Sequence, residues 1–227
     1  MKITSINKQL RALLETKSWI GINRNPSTNI FSRPICVNGR WLIMEPQGSP
    51  GKAIWNLIAQ EMEKITRTSG KSWQFDAERK RREFPLKEVE NVLRNVNLLH
   101  IDGQWFPDPE QYLEARLSED QIVLHVDILE AGIDFIGFPV PESLRNTDDE
   151  PEFLYFNIDY VLMFAQMGLD LYYLPDPWIP GVLIEKFNGI QSIVGLVMPV
   201  TWNTSKNLGK QVVANNGTLV FPYNPRP

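Results

Sequence analysis

Apolar residues recur at three- and four-residue intervals in several segments, the pattern of helices that bury one face. The clearest segment spans residues 52–67, and its apolar positions are Ala53, Ile54, Leu57, Ile58, Met62 and Ile65. The same spacing predicts helices over residues 3–17 and after Pro85. A further helix is predicted over residues 156–166, entered from a short strand. The chain therefore has at least four helical segments by pattern alone.

Short apolar or alternating runs predict strands between these helices. Asn38 and Gly39 separate residues 34–37 from residues 40–44 and predict a β-hairpin with a type I′ turn, which needs positive φ at both central residues. A last hairpin is predicted around Asn216 and Gly217. Residues 98–106 predict strand segments around a turn at Asp102 and Gly103, and other predicted strands are residues 121–128, 133–140, 169–174, 182–185 and 193–199. Helices and strands together predict a mixed α+β fold.

The 227 residues are 43% hydrophobic, which is enough for one large core or two modest ones. The longest apolar runs fall short of the roughly 20 residues that span a bilayer. The first residues lack the apolar centre of a signal peptide, and Cys36 is the single cysteine, so no internal disulfide is expected. These features predict a cytoplasmic protein without a membrane partner.

Charge is divided unevenly along the chain. Residues 1–82 hold 15 Lys and Arg against 6 Asp and Glu, whereas residues 83–227 hold 8 against 21. A basic part joined to an acidic body is typical of proteins that contact a polyanion, although the two parts could also neutralise each other in the fold. The candidate DNA contacts are Lys8, Arg11, Lys17, Arg79, Lys80, Arg81 and Arg82.

The polar stretch over residues 67–82 favours a linker or an exposed helix between two units. It predicts a basic N-terminal α+β segment over residues 1–81 and a second domain over residues 82–203. Residues 204–227 then form a C-terminal hairpin and a proline-rich tail.

No nucleophile elbow, zincin motif, phosphate loop or dinucleotide fingerprint is present, so we expect no cofactor and no enzymatic activity. Cys36 lies in a predicted hairpin and is expected to be a buried structural thiol. One alternative stays open. His100 with Asp102, and His125 with Asp127, form two His-x-Asp pairs that would suit a metal-dependent enzyme, because residues two apart on a strand share a face.

Four segments within residues 82–203 resemble, in order and spacing, the C-terminal domain of the bacterial β sliding clamp. They are FPLKEVENVLRNV at 84–96, LSEDQIVL at 117–124, FNIDYVL at 156–162 and GLVMPV at 195–200. The clamp family consists of rings that tether a replicative polymerase to DNA and give it processivity. The resemblance implies a clamp-like domain of antiparallel sheets with two helices, built as two βαβββ-like halves.

The resemblance also implies a binding site. In the family, the segment that matches Val197, Met198, Pro199 and Val200 helps to form a hydrophobic pocket for short peptides from polymerases and loaders. The expected function is thus a non-enzymatic clamp-like accessory protein of DNA replication or repair that binds partner peptides and DNA, and a homo-oligomer is one expected assembly.

The chain departs from the family pattern in three ways. Only one clamp-like domain can be recognised in the sequence, whereas the family normally has three. Closing a ring would therefore require that residues 1–81 form a degenerate clamp domain or that the number of chains per ring differs. Residues 201–227 extend beyond the Met-Pro segment that ends the family's chains. The helix around residues 160–166 has no lysine or arginine. An interaction protein with a clamp-like fold and no DNA role therefore remains an alternative.

Overall fold

A computed structural model gives the architecture of the chain. It describes residues 10, 14, 20–24, 26, 32–67, 74–75, 81–82, 87, 91–92, 96, 98–101, 104–108, 111–115, 133–145, 152–200, 210–215 and 218–220. The fold is mixed α+β, as the sequence predicts, and it is dominated by antiparallel sheet.

The larger sheet has seven strands in the order β1-β2-β3-β13-β12-β11-β8, and every neighbouring pair is antiparallel. Its strands are β1 (Ile20–Asn23), β2 (Ile35–Asn38), β3 (Trp41–Met44), β8 (Leu113–Ala115), β11 (Leu169–Tyr173), β12 (Gly181–Phe187) and β13 (Ile190–Val197). Strands from the first 44 residues therefore lie in the same sheet as strands from residues 113–197, and the proposed boundary at residue 81 does not separate two sheets.

A second sheet has four strands in the order β10-β9-β14-β15. They are β9 (Ile133–Pro139), β10 (Phe153–Asn157), β14 (Lys210–Asn215) and β15 (Thr218–Val220), and β14 runs parallel to β9. Two small hairpins complete the described strands. They are β4 (Gln74–Phe75) with β5 (Arg81–Arg82), and β6 (Leu98–Ile101) with β7 (Gln104–Pro107).

Within the described residues, two regular helices pack on the larger sheet: α1 (Gly51–Arg67) and α2 (Ile158–Gln166). Asn157 caps the start of α2, because its side chain accepts a hydrogen bond from the Tyr160 backbone N–H at 3.2 Å. Six of the nine residues of α2 are buried. Neither helix has the length and apolar content needed to cross a bilayer, within the described part of the chain.

Both faces of the larger sheet are apolar, because successive side chains on a strand point to opposite sides. Trp41 and Ile43 belong to a core cluster with residues of both helices, whereas Leu42 and Met44 belong to a second cluster on the other face. Val96 and Tyr112 cover part of that second face. The sheet is therefore a central layer with one apolar cluster on each of its two faces.

A buried carboxylate ties the loop before α1 to the sheet. Glu185 on β12 is 4% exposed and accepts hydrogen bonds from the backbone N–H groups of Gln47 (2.8 Å) and Gly48 (2.7 Å). Arg33 forms an ion pair with it at 3.3 Å. Because these donors satisfy the carboxylate, its burial is tolerated at this position.

Most elements predicted from the sequence are confirmed. α1 matches the helix predicted over residues 52–67, and β10 with α2 matches the strand-to-helix segment ending at residue 166. Hairpins form at both predicted Asn-Gly positions in the chain, between β2 and β3 and between β14 and β15. The predicted helix at residues 3–17 is described only at Leu10 and Leu14, and the predicted strand at residues 121–128 lies outside the described residues.

The predicted type I′ geometry at Asn38 and Gly39 is wrong. Asn38 is the last residue of β2 and pairs with Trp41, so the two turn residues are Gly39 and Arg40. Positive φ occurs instead at Asn188 (52°) and Gly189 (79°), which join β12 to β13. That turn has the positive φ at both central residues that a type I′ hairpin requires.

Pairing of β13 with β3 depends on a glycine. A Cβ atom at Gly195 would lie 2.5 Å from the Leu42 carbonyl oxygen and 3.0 Å from a Leu183 methyl group. The first neighbour is backbone and cannot move aside without separating the strands.

Gly195→Ala should therefore lower the free energy of unfolding by at least about 2 kcal/mol, because it overpacks the centre of the sheet. Urea unfolding followed by circular dichroism measures the change. Gln191→Ala, at an exposed position of the same strand, is the control and should change stability by less than about 0.5 kcal/mol. Equal stability of the two variants would contradict the close approach at Gly195.

Candidate peptide-binding groove

An apolar groove of about 140 Å³ lies where the β2–β3 hairpin meets the end of β13. Its wall consists almost entirely of apolar surface. The residues that line it are Val37, Asn38, Gly39, Arg40, Trp41, Leu42, Val92, Pro180, Leu196 and Met198. Taking about 30 Å³ for a water molecule, the groove has room for roughly four to five waters, or for part of one large apolar side chain.

The strand register brings these residues together from distant parts of the sequence. Leu196 pairs with Leu42 and Val197 pairs with Trp41 across β13 and β3, while Val197 pairs with Gly181 on its other side. Pro180 immediately precedes β12 and so stands beside Met198, which immediately follows β13. The groove thus forms at one end of three adjacent strands.

Asn38 holds the hairpin turn in place. Its side chain is 2% exposed, and its Oδ1 accepts hydrogen bonds from the backbone N–H groups of Arg40 (2.8 Å) and Trp41 (2.9 Å). The Met198 N–H donates to the Arg40 carbonyl oxygen at 2.7 Å. These bonds fix the turn to the segment that follows β13, so the groove is formed without a ligand.

The four residues predicted to bind a partner peptide do not share one surface. Met198 is half-buried and lines the groove, whereas Val197 and Pro199 are buried. Val200 turns toward the second sheet, where its N–H donates to the Tyr155 carbonyl oxygen at 2.7 Å and its side chain packs near Phe135. Met198 is therefore the member of this set that a groove ligand would contact.

Tyr160 on α2 lies near the rim of the groove. Burial raises the pKa of its hydroxyl group, and the guanidinium group of Arg40 opposes that increase. Arg40 itself is exposed and lines the groove.

Several groove residues carry no signal in the sequence. Val37, Leu42 and Leu196 read as ordinary strand positions, and Val92 reads as part of a helical stripe. Val92 is nevertheless 42% exposed and forms part of the groove wall.

Trp178, two residues before Pro180, is 74% exposed on a turn in which its N–H donates to Asp176 Oδ1 at 2.8 Å. The high exposed fraction of this tryptophan distinguishes the loop, because large exposed apolar side chains are typical of interaction surfaces.

The predicted DNA contacts are described only in part. Lys8, Arg11, Lys17, Arg79 and Lys80 lie outside the described residues. Arg81 and Arg82 form β5, which pairs with β4, and β4 lies close to β1 of the larger sheet. Their role in DNA binding stays a prediction.

The predicted metal pairs are also described only in part. His100 lies on β6 opposite Trp105, while Asp102, His125 and Asp127 lie outside the described residues. Among the residues that the structure describes, no group of three or more His, Cys, Asp or Glu is arranged to hold a metal ion.

Comparison with protein-family models, with curated proteins and with solved structures finds no match for this chain. The groove and the four clamp-like sequence segments are therefore the observations from which a function can be proposed.

Cys36 is fully buried on β2, and burial raises the pKa of its thiol far above the usual range. A thiolate is the reactive form, so native protein should resist a maleimide at neutral pH, whereas unfolded protein should react completely. Mass spectrometry after timed quenching measures the modified fraction. Rapid modification of the native protein would contradict the burial of this thiol.

Proposed function

We propose that this chain is a non-enzymatic, clamp-like accessory protein of DNA replication or repair, and that it holds a partner peptide in the groove beside Met198. The observation that carries the proposal is the position of the groove. It lies at the end of the GLVMPV segment, where the resemblance to sliding clamps implies a peptide pocket.

The order of elements around the groove supports the clamp-like part of the proposal. β10, α2, β11, β12 and β13 follow one another as strand, helix and three strands. This is the βαβββ order that the resemblance implies for half of a clamp domain. The FNIDYVL segment crosses from β10 into α2, and GLVMPV covers the end of β13 and the residues after it.

The groove is physically suited to a short peptide. A few apolar side chains anchored in a preformed groove supply most of the affinity of such a complex. Because the hairpin turn is already fixed by Asn38, little ordering is required of the protein when a ligand binds. Trp178, exposed close to Pro180 in sequence, adds an aromatic side chain of the type that is enriched at binding interfaces.

A peptide-binding protein without a DNA role is the second candidate. The burial of α2 favours it, because this helix has no basic side chain and most of its residues are covered. On this alternative the groove keeps its function, and the basic residues of the N-terminal half serve another purpose.

Val92→Lys should weaken the binding of a fluorescent peptide taken from the clamp-binding segment of a bacterial replicative polymerase. A loss of at least about tenfold in Kd is expected, because the lysine must be desolvated against the apolar residues of the peptide. Fluorescence anisotropy measures Kd.

Leu57→Lys is the matched control for this variant. Leu57 is 40% exposed on α1, close to the 42% of Val92, but it does not line the groove. Unchanged affinity of Val92→Lys, or an equal loss in both variants, would argue against peptide binding in the groove.

Replacing Arg79, Lys80, Arg81 and Arg82 together by alanine should weaken binding to duplex DNA and reduce its salt dependence. The slope of log affinity against log salt should fall by about 0.9 for each phosphate contact that is lost. Lys52→Ala with Lys64→Ala, two exposed cations on α1, is the control. An unchanged slope would remove these residues from the DNA interface, and no DNA binding by the unmodified chain would favour the second candidate.

A further inference from the structure

Arg40 occupies a distinct position at the groove. Among the described residues that line it, Arg40 is the one that carries a charge, and the others are apolar apart from Asn38. Within the described part of the chain, Arg40 forms no ion pair. A cation beside an apolar groove that is paired with no carboxylate of the described residues can receive one from a ligand.

The turn that carries Arg40 is held in position. Asn38 Oδ1 accepts hydrogen bonds from the backbone N–H groups of Arg40 and Trp41, and the Arg40 carbonyl oxygen accepts one from the Met198 N–H. Because the backbone at Arg40 is already ordered, only side-chain freedom is lost when its guanidinium group binds an anion.

We propose that Arg40 makes the groove selective for a partner segment that carries a carboxylate next to its apolar anchor residues. The inference rests on the proposed peptide-binding function and specifies the partner's chemistry. An arginine fork binds a carboxylate through two parallel hydrogen bonds, while the apolar wall receives the neighbouring side chain.

Charge complementarity specifies the occupant of the groove. Arg40 attracts an acidic partner segment and steers it toward the groove, whereas a basic segment would be repelled. The expected occupant is therefore an acidic, apolar peptide segment of a partner.

A displayed library of random peptides, selected against the full chain, tests the inference. The unmodified protein should enrich peptides with Asp or Glu beside a large apolar residue. Arg40→Glu should instead enrich Lys or Arg at that position, and Lys64→Gln, an exposed cation on α1, should select the same peptides as the unmodified protein.

The affinities of one selected peptide, and of a copy in which glutamine replaces the acidic residue, then measure the coupling between that residue and Arg40. The replacement should weaken binding about tenfold to the unmodified protein but less than about twofold to Arg40→Gln. Circular dichroism verifies that each variant is folded.

The outcomes separate the two levels of the proposal. Peptides that lose affinity in Val92→Lys but show no acidic preference would overturn the role of Arg40 and leave the groove function intact. Enrichment of basic peptides would also overturn it. Failure to select any peptide that is sensitive to Val92→Lys would overturn the groove function and the role of Arg40 together.

Discussion

The antiparallel pairing of β13 with β3 is the contact on which the rest of the structure depends. It joins a hairpin from the first 44 residues to a strand that ends at residue 197, and Gly195 allows the two backbones to approach. Without this pairing, Trp41 and Ile43 would not reach the core formed with both helices, and Leu42 would not face Leu196. The same contact creates the groove, because the groove is the open end of these paired strands.

Local structure could be predicted from the sequence where side-chain spacing alone decides it. The buried positions of α1 repeat every three or four residues, and Asn157 provides a helix cap, so both helices are visible in the pattern. The geometry of the turns could be predicted less well from the sequence. Asn38 and Asn188 both precede glycine, but the Asn38 side chain accepts hydrogen bonds from the following backbone and keeps its residue in the strand. Asn188 instead adopts positive φ.

The candidate site could be predicted only in part. The Met-Pro segment directed attention to Met198, which does line the groove, but the same reasoning grouped it with Val197 and Pro199, which are buried. Val37, Val92 and Pro180 reach the groove through strand register and packing between residues more than 50 positions apart, and no local pattern encodes such contacts. Arg40 lies at the rim because the turn consists of Gly39 and Arg40, one residue later than the sequence predicts. Its place there therefore does not follow from the sequence pattern.

The C-terminal strands have a consequence for how copies of this chain could associate. β14 lies against β9 in parallel, and β15 follows it on the outside of the four-stranded sheet. The backbone groups of β9 are thus hydrogen-bonded on both sides within one molecule. Among the described strands, a neighbouring copy could extend this sheet at the three-residue strand β15 or at β10, and a strand of three residues offers few backbone bonds for such an addition.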